Sequence, residues 1–231
     1  MKKIILPAAL LLVSAFAQAQ EYTVKSTTKL EGVPPEYAAY GEREITTYIK
    51  GNKIKNETTS MMGSEISMYD GKKHTFLMDA MGNKTGYVVS DEELDKDTKS
   101  KKEEKPRVEY PGEKKTVAGY ECTKALVMRK GREGKTDTIV LWTTDKINYD
   151  VSKVKKDGRT RAMDWGDVKG YPLMIEMKMS FQGQAMKVIV TTVEVSTKPV
   201  DDSVFQVNTE GYTMLSYTDA MEKMKAMGGG R

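Results

Sequence analysis

LMIEMKMSFQGQAMKVIVTTVEV, residues Leu173 to Val195, is the stretch on which the fold turns. It reads as two long strands around a polar turn, Gln182-Gly183-Gln184. On the first strand Leu173, Ile175, Met177, Met179 and Phe181 share a face, while Glu176, Lys178 and Ser180 take the other; Met174 is the apolar exception. Successive side chains of a strand point to opposite faces, so the alternation predicts a half-buried strand. Full burial of those side chains would contribute roughly 8–15 kcal/mol gross, at about 1.5–3 kcal/mol each. The returning strand sets Met186, Val188 and Val190 on one side and Ile189, Val193 and Val195 on the other. A strand apolar on both sides calls for cover on both sides.

Outward from the hairpin, further strands are expected at 114–117, 121–129 and 137–144, and in the first half at 21–30, 44–50, 53–59, 64–69, 73–77 and 86–89. Turn signals such as Gly51-Asn52, Asp70-Gly71 and Ala118-Gly119 separate them. Regular short strands with turns between them are an all-β pattern. Between the halves, Ser90 and Glu93 make a capping box, but the charged run of about 91–106 has Leu94 as its only large apolar residue and is expected to be a solvated crossing. Asp201 to Phe205 is expected to form one helical turn that buries Phe205, and 219–227 a short terminal helix capped by Asp219.

The N-terminus adds a compartment. Lys2-Lys3, the apolar run Ile4 to Phe16 and Ala17-Gln18-Ala19 have the form of a secretory signal peptide, residues 1–19, with no lipid-attachment cysteine after it. The remainder, 20–231, is expected as a single β-rich domain, periplasmic or secreted, monomeric and without a transmembrane segment. With 37 basic and 33 acidic residues, the chain lacks the basic excess of a nucleic-acid binder.

Reactive residue types are scarce. The chain has one cysteine, Cys122, and one histidine, His74, too few for an intrachain zinc site of the usual ligands. His74 is read as an exposed or edge-strand residue, since no nucleophile elbow accompanies it. Gly131 to Thr136 ends like a phosphate loop but lies between two strands, so it reads as a hairpin turn. Asp164 and Asp167 read as a solvated loop pair. Neither enzyme nor cofactor is therefore expected. Methionine is in excess, 16 in all, and its places on inward strand faces point to an adaptable apolar cavity; Cu(I) ligation is the alternative.

Gly119-Tyr120-Glu121-Cys122-Thr123-Lys124, Ile139-Val140-Leu141-Trp142, Gly170-Tyr171-Pro172-Leu173, Phe205-Gln206-Val207 and Gly211-Tyr212 occur in that order. This series resembles an uncharacterised family of exported bacterial proteins that is similar to the periplasmic lipoprotein carriers (LolA-like). The resemblance implies a curved, unclosed antiparallel half-barrel covered by a few short helices, with an apolar cavity that takes acyl chains in the carriers. No carrier residue finds a matching motif here. The expected function is a non-enzymatic exported module for an apolar or amphipathic ligand, a lipid or lipoprotein acyl chain included. The alternative is an envelope interaction module whose partner is another protein. The expected cavity-lining residues are Ile175, Met177, Met179, Phe181, Ile189 and Trp142.

Overall fold

Thr-, Val- and Ile-rich segments joined by tight turns build one sheet of 13 strands. The computed structural model describes residues 21–98, 105–130, 136–150, 154, 165–181 and 184–226. The expected signal peptide, the turn Gln182-Gly183, the 131–135 loop and Asp164 lie outside them. A first meander comprises β1 (Glu21–Glu31), β2 (Arg43–Lys50), β3 (Lys53–Ser60), β4 (Gly63–Tyr69), β5 (Lys73–Ala80) and β6 (Asn83–Ser90). A second comprises β7 (Arg107–Glu109), β8 (Lys114–Val117), β9 (Tyr120–Lys130), β10 (Thr136–Thr144), β11 (Tyr171–Phe181) and β12 (Gln184–Ser196). The antiparallel pairing of β1 with β12 joins the two. A short β13 (Thr213–Leu215) adds in parallel to β6. Thr136 pairs with Lys130, so β9 and β10 run antiparallel on either side of the 131–135 loop.

The order across the sheet runs from β13 and β6 at one edge to β9 and β7 at the other, without closure. Residues 91–106 therefore link opposite edges. The sheet is unclosed and curved.

Among the described residues, three short α-helices accompany it: α1 (Pro35–Ala38), running into a 3-10 turn at Ala39–Gly41, α2 (Asp91–Thr98) and α3 (Tyr217–Ala226). The solvated crossing expected after Ser90 is corrected by α2. The capping box forms, with the Ser90 N–H donating to Glu93 Oε2 at 2.9 Å and the Glu93 N–H to Ser90 Oγ at 3.3 Å. The Ser90 N–H and the Ser90 hydroxyl, which also donates to Glu93 Oε2 at 2.8 Å, hold the Glu93 carboxyl below its ordinary range. Leu94, one turn in, is 1% exposed against Phe76, Tyr87, Val89 and Ala220. One well-placed leucine is enough to dock a helix whose other faces stay wet. On α3 the cap is Ser216 rather than Asp219, because the Ser216 hydroxyl accepts from the Asp219 N–H at 3.1 Å and donates to its carboxylate at 2.6 Å. The helix begins two residues earlier as a result.

The opposite side of the first meander is covered by the C-terminal crossing. Asp201 caps the 3-10 turn Asp202–Phe205, as expected, and Phe205 packs with Met68 and Val200. Lys50 and Lys55 strap this segment down by donating to the Val200 and Val204 carbonyls at 2.8 Å each.

Leu94→Ala is expected to destabilise the protein by about 2–4 kcal/mol, the cost of a buried cavity. Urea unfolding checks this; a change below about 0.5 kcal/mol would mean that α2 is not docked.

Candidate functional site

Strand register lines apolar residues into rows. Leu30, Val188, Met177, Ile139 and Val127 are consecutive partners across β1, β12, β11, β10 and β9. The neighbouring row is Thr28, Val190, Ile175, Leu141 and Ala125. Met186 and Met179 pair one step beyond. At the β9–β10 end the rows are sealed, with Ala125, Val127, Ile139 and Leu141 at most 2% exposed and packed with Val168 and Trp165. At the β1 end the 3-10 turn after α1 lies against Leu30, which stays half-buried. A side chain at Gly41 would run into Leu30, only 2.1 Å from where its Cβ would stand. Between these ends Val188, Val190, Ile175, Met177 and Met186 remain half-exposed. The result is an apolar lane about 19 Å long over four strand spacings, sealed at the β9–β10 end and half-exposed across β11, β12 and β1.

The six expected residues are divided by this geometry. Ile175 and Met177 lie in the lane. Met179 stands at its outer margin, 49% exposed rather than buried. Phe181 pairs through its backbone with Gln184, and its side chain lies outside the described residues. Trp142 and Ile189 sit on the opposite face, paired with Met174 and Glu176. Trp142 donates from Nε1 to Glu176 Oε1 at 3.2 Å, and Lys115 Nζ stands 5.0 Å from its ring centre. Glu176 also pairs with Lys187. Burial opposes ionisation of Glu176, yet the bonds from Lys187 and Trp142 outweigh it and hold the carboxyl below its ordinary range. This face is a polar brace.

The two-sided apolar character expected of β12 also resolves. Lys25 pairs with Glu194 but Ser26 with Thr192, so Val193 is a β-bulge and is 58% exposed. A bulge shifts the inside–outside alternation by one residue. Val195 thereby pairs with Val24 on the same side as Val190. Sequence alternation missed Val188, Val190, Met186 and Leu30 as lane residues for want of the register.

His74 is neither exposed nor on an edge. It is 8% exposed in the interior strand β5, stacked on Tyr69 at 4.6 Å, with Nε2 3.9 Å from Asp91 Oδ1. The Tyr69 hydroxyl donates to Asp91 Oδ2 at 3.0 Å, and burial together with this carboxylate pushes its pKa up to about 12. Together they tie the first turn of α2 to β4 and β5, an anchoring role. Cys122 is buried in another cluster, where desolvation pushes its thiol pKa up, away from reactivity. Beside the lane, the Trp165 indole N–H is buried with no partner. Among the described residues no group of three acidic, histidine or cysteine side chains could hold a metal ion, and no helix is long and apolar enough to cross a membrane.

Comparison with known proteins gives a family without an activity. A family described as a domain of unknown function, DUF4412, matches residues 36–210. No characterised protein matches in sequence. Among solved structures, PNGF-II aligns with 89% of this chain at 15% identity and a TM-score of 0.47, and the chain spans 34% of the PNGF-II chain. The lipoprotein LppX of Mycobacterium tuberculosis aligns with 78% of this chain and 88% of its own, at 9% identity and a TM-score of 0.38. A putative outer membrane lipoprotein-sorting protein domain from Vibrio parahaemolyticus aligns with 81% of this chain and 89% of its own, at 11% identity and a TM-score of 0.32.

The brace makes stability depend on pH. The Glu176 carboxyl is depressed below its ordinary value of 4.5, so its contribution is complete above that pH and is lost as pH falls through the lower folded value. Glu176→Gln is expected to cost about 1 kcal/mol at neutral pH, allowing for solvent screening of Lys187. The difference from wild type should be smaller at about pH 3 than at neutral pH, because the carboxyl takes up its proton as pH falls through the depressed folded value. Urea unfolding at the two pH values measures it; an equal difference at both would dismiss the charge pairing.

Proposed function

The chain belongs to the DUF4412 family, a domain of unknown function, and we propose that it is an exported, non-enzymatic module that holds an apolar or amphipathic ligand, a lipid or lipoprotein acyl chain, in the lane across β1, β12, β11, β10 and β9. The observation that carries this reading is the lane itself: apolar rows that are sealed at the β9–β10 end and left half-exposed across β11, β12 and β1. Every methylene removed from water there is worth about 0.8 kcal/mol. A protein with a solid core would bring the same rows together directly. The reading also uses the methionines. Met177, Met179 and Met186 are unbranched and polarisable, and adapt to ligands of differing shape more readily than leucine. The buried Trp165 N–H at the lane's border would meet the polar end of an amphipathic ligand. Small-molecule sites combine a mostly apolar lining with few polar groups in this way. Both meanders serve as one domain in this reading, since the lane crosses the seam between β1 and β12.

Mass spectrometry of organic extracts from protein purified without detergent tests the proposal. The wild type is expected to yield a lipid or other apolar compound, or to take up added oleate. Met177→Asp should retain at least about tenfold less, the equivalent of about 1.4 kcal/mol of lost binding, with an unchanged far-ultraviolet circular dichroism spectrum. A wild type that neither carries nor takes up such a compound would refute the assignment.

A further inference from the structure

The turns β3–β4 and β5–β6 and the β1–β2 connection emerge along one edge of the meander, because Arg43, Ser60, Gly63, Ala80 and Asn83 stand in one row of the register. Of the ten large apolar side chains most exposed among the described residues, five lie at this rim: Tyr37, Tyr40, Met61, Met62 and Met81. Met61 and Met81 are 71% and 83% exposed. Met61, Met62 and Met81 share an open basin of about 350 Å³ between two neighbouring tips. Nothing in the turn geometry asks for methionine. Met81 and Gly82 both have positive φ, 52° and 85°, a turn in which asparagine or glycine is the favoured first residue.

We infer that this rim docks onto the interfacial layer of a lipid bilayer, through methionine and tyrosine side chains set on separate tips. The arrangement differs from a protein-docking patch, which is contiguous and closely packed. Separate tips along one edge fit a surface that yields around each of them. Tyrosine suits the interface, with an apolar body and a polar end. The charge behind the tips selects the kind of bilayer. Lys29 stands 3.5 Å from Glu31 and Lys84 3.8 Å from Asp79, and Arg43 lies between Glu42 and Glu44 in sequence. With Lys29 and Lys84 matched by carboxylates, these tips carry mixed charge, which complements zwitterionic headgroups better than an anionic surface. The inference does not depend on whether the lane holds a ligand, though a membrane-facing rim would place the lane beside a source of lipid.

Co-flotation of the exported chain, beginning at Gln20, with phosphatidylcholine vesicles tests this. Wild type is expected to float with the vesicles, with little change when anionic lipid or salt is added. M61Q/M62Q/M81Q should lower the bound fraction at least about tenfold, while M61L/M62L/M81L, which keeps the apolar surface and removes the sulfur, should bind within about twofold of wild type. Met177→Asp, which alters the lane alone, should leave flotation unchanged. The inference is overturned if wild type fails to float, if the glutamine variant floats as well as wild type, or if binding rises steeply with anionic lipid. It is also overturned if the leucine variant loses binding as the glutamine one does while wild type takes up Cu(I) in an anaerobic titration, the outcome for a thioether metal site.

Discussion

The pairing of β1 with β12 is the constraint from which the rest follows. Each meander alone is a sequence of local hairpins. Their union requires residues such as Ser26 and Thr192, whose hydroxyls meet at 3.1 Å, to find one another across most of the chain. Once formed, the seam turns two meanders into one curved sheet and puts Leu30 and Thr28 in line with Ile139 and Leu141. It also takes β1 and β12 out of contact with solvent as edges, leaving only short strands at the margins, β7 and β8 on one side and β13 on the other. Short edge strands offer little unpaired backbone to other chains. Such long-range pairing is slow to form, because loop closure precedes any gain from contact.

The faces on either side of the seam have different duties. One carries the lane, a run of apolar side chains whose cover is incomplete. The other carries fixed polar work: Glu176 between Trp142 and Lys187, and Lys50 and Lys55 holding the C-terminal crossing by its carbonyls. The bulge at Val193 contributes by turning Val195 to the side of Val24, where it joins the cluster around Tyr22, Ile49 and Leu173.

Much of this was legible in the residues, and what was not has physical reasons. Strands and turns follow from alternation and from Gly, Asn and Asp at the turns, so the hairpins, the Ser90–Glu93 box and the Phe205 plug could be placed in advance. Alternation cannot see a bulge, because one extra residue reverses the pattern without changing composition. Ile189 was grouped with Ile175 and Met177 for a different reason, a turn read as three residues where Phe181 pairs directly with Gln184, and Trp142 because alternation within one strand does not give its register against the next. Burial of Leu94 was hidden because one residue makes no periodicity. His74 was hidden because its neighbours, Tyr69 and Asp91, meet it only through the sheet and the first turn of α2. The methionine excess was visible, but its division between the lane and the exposed tips of turns was a matter of register.

The account's central claim is that the half-exposed rows across β11, β12 and β1 are a binding face. Nuclear magnetic resonance of the methionine methyl groups during a titration with oleate tests it directly. Met177, Met179 and Met186 are predicted to shift together and to saturate, while Met68, sealed beneath Phe205 and Val200, stays in place. If Met68 moves with them, or if the three lane methyls stay fixed while the protein binds oleate elsewhere, the lane is not the binding face.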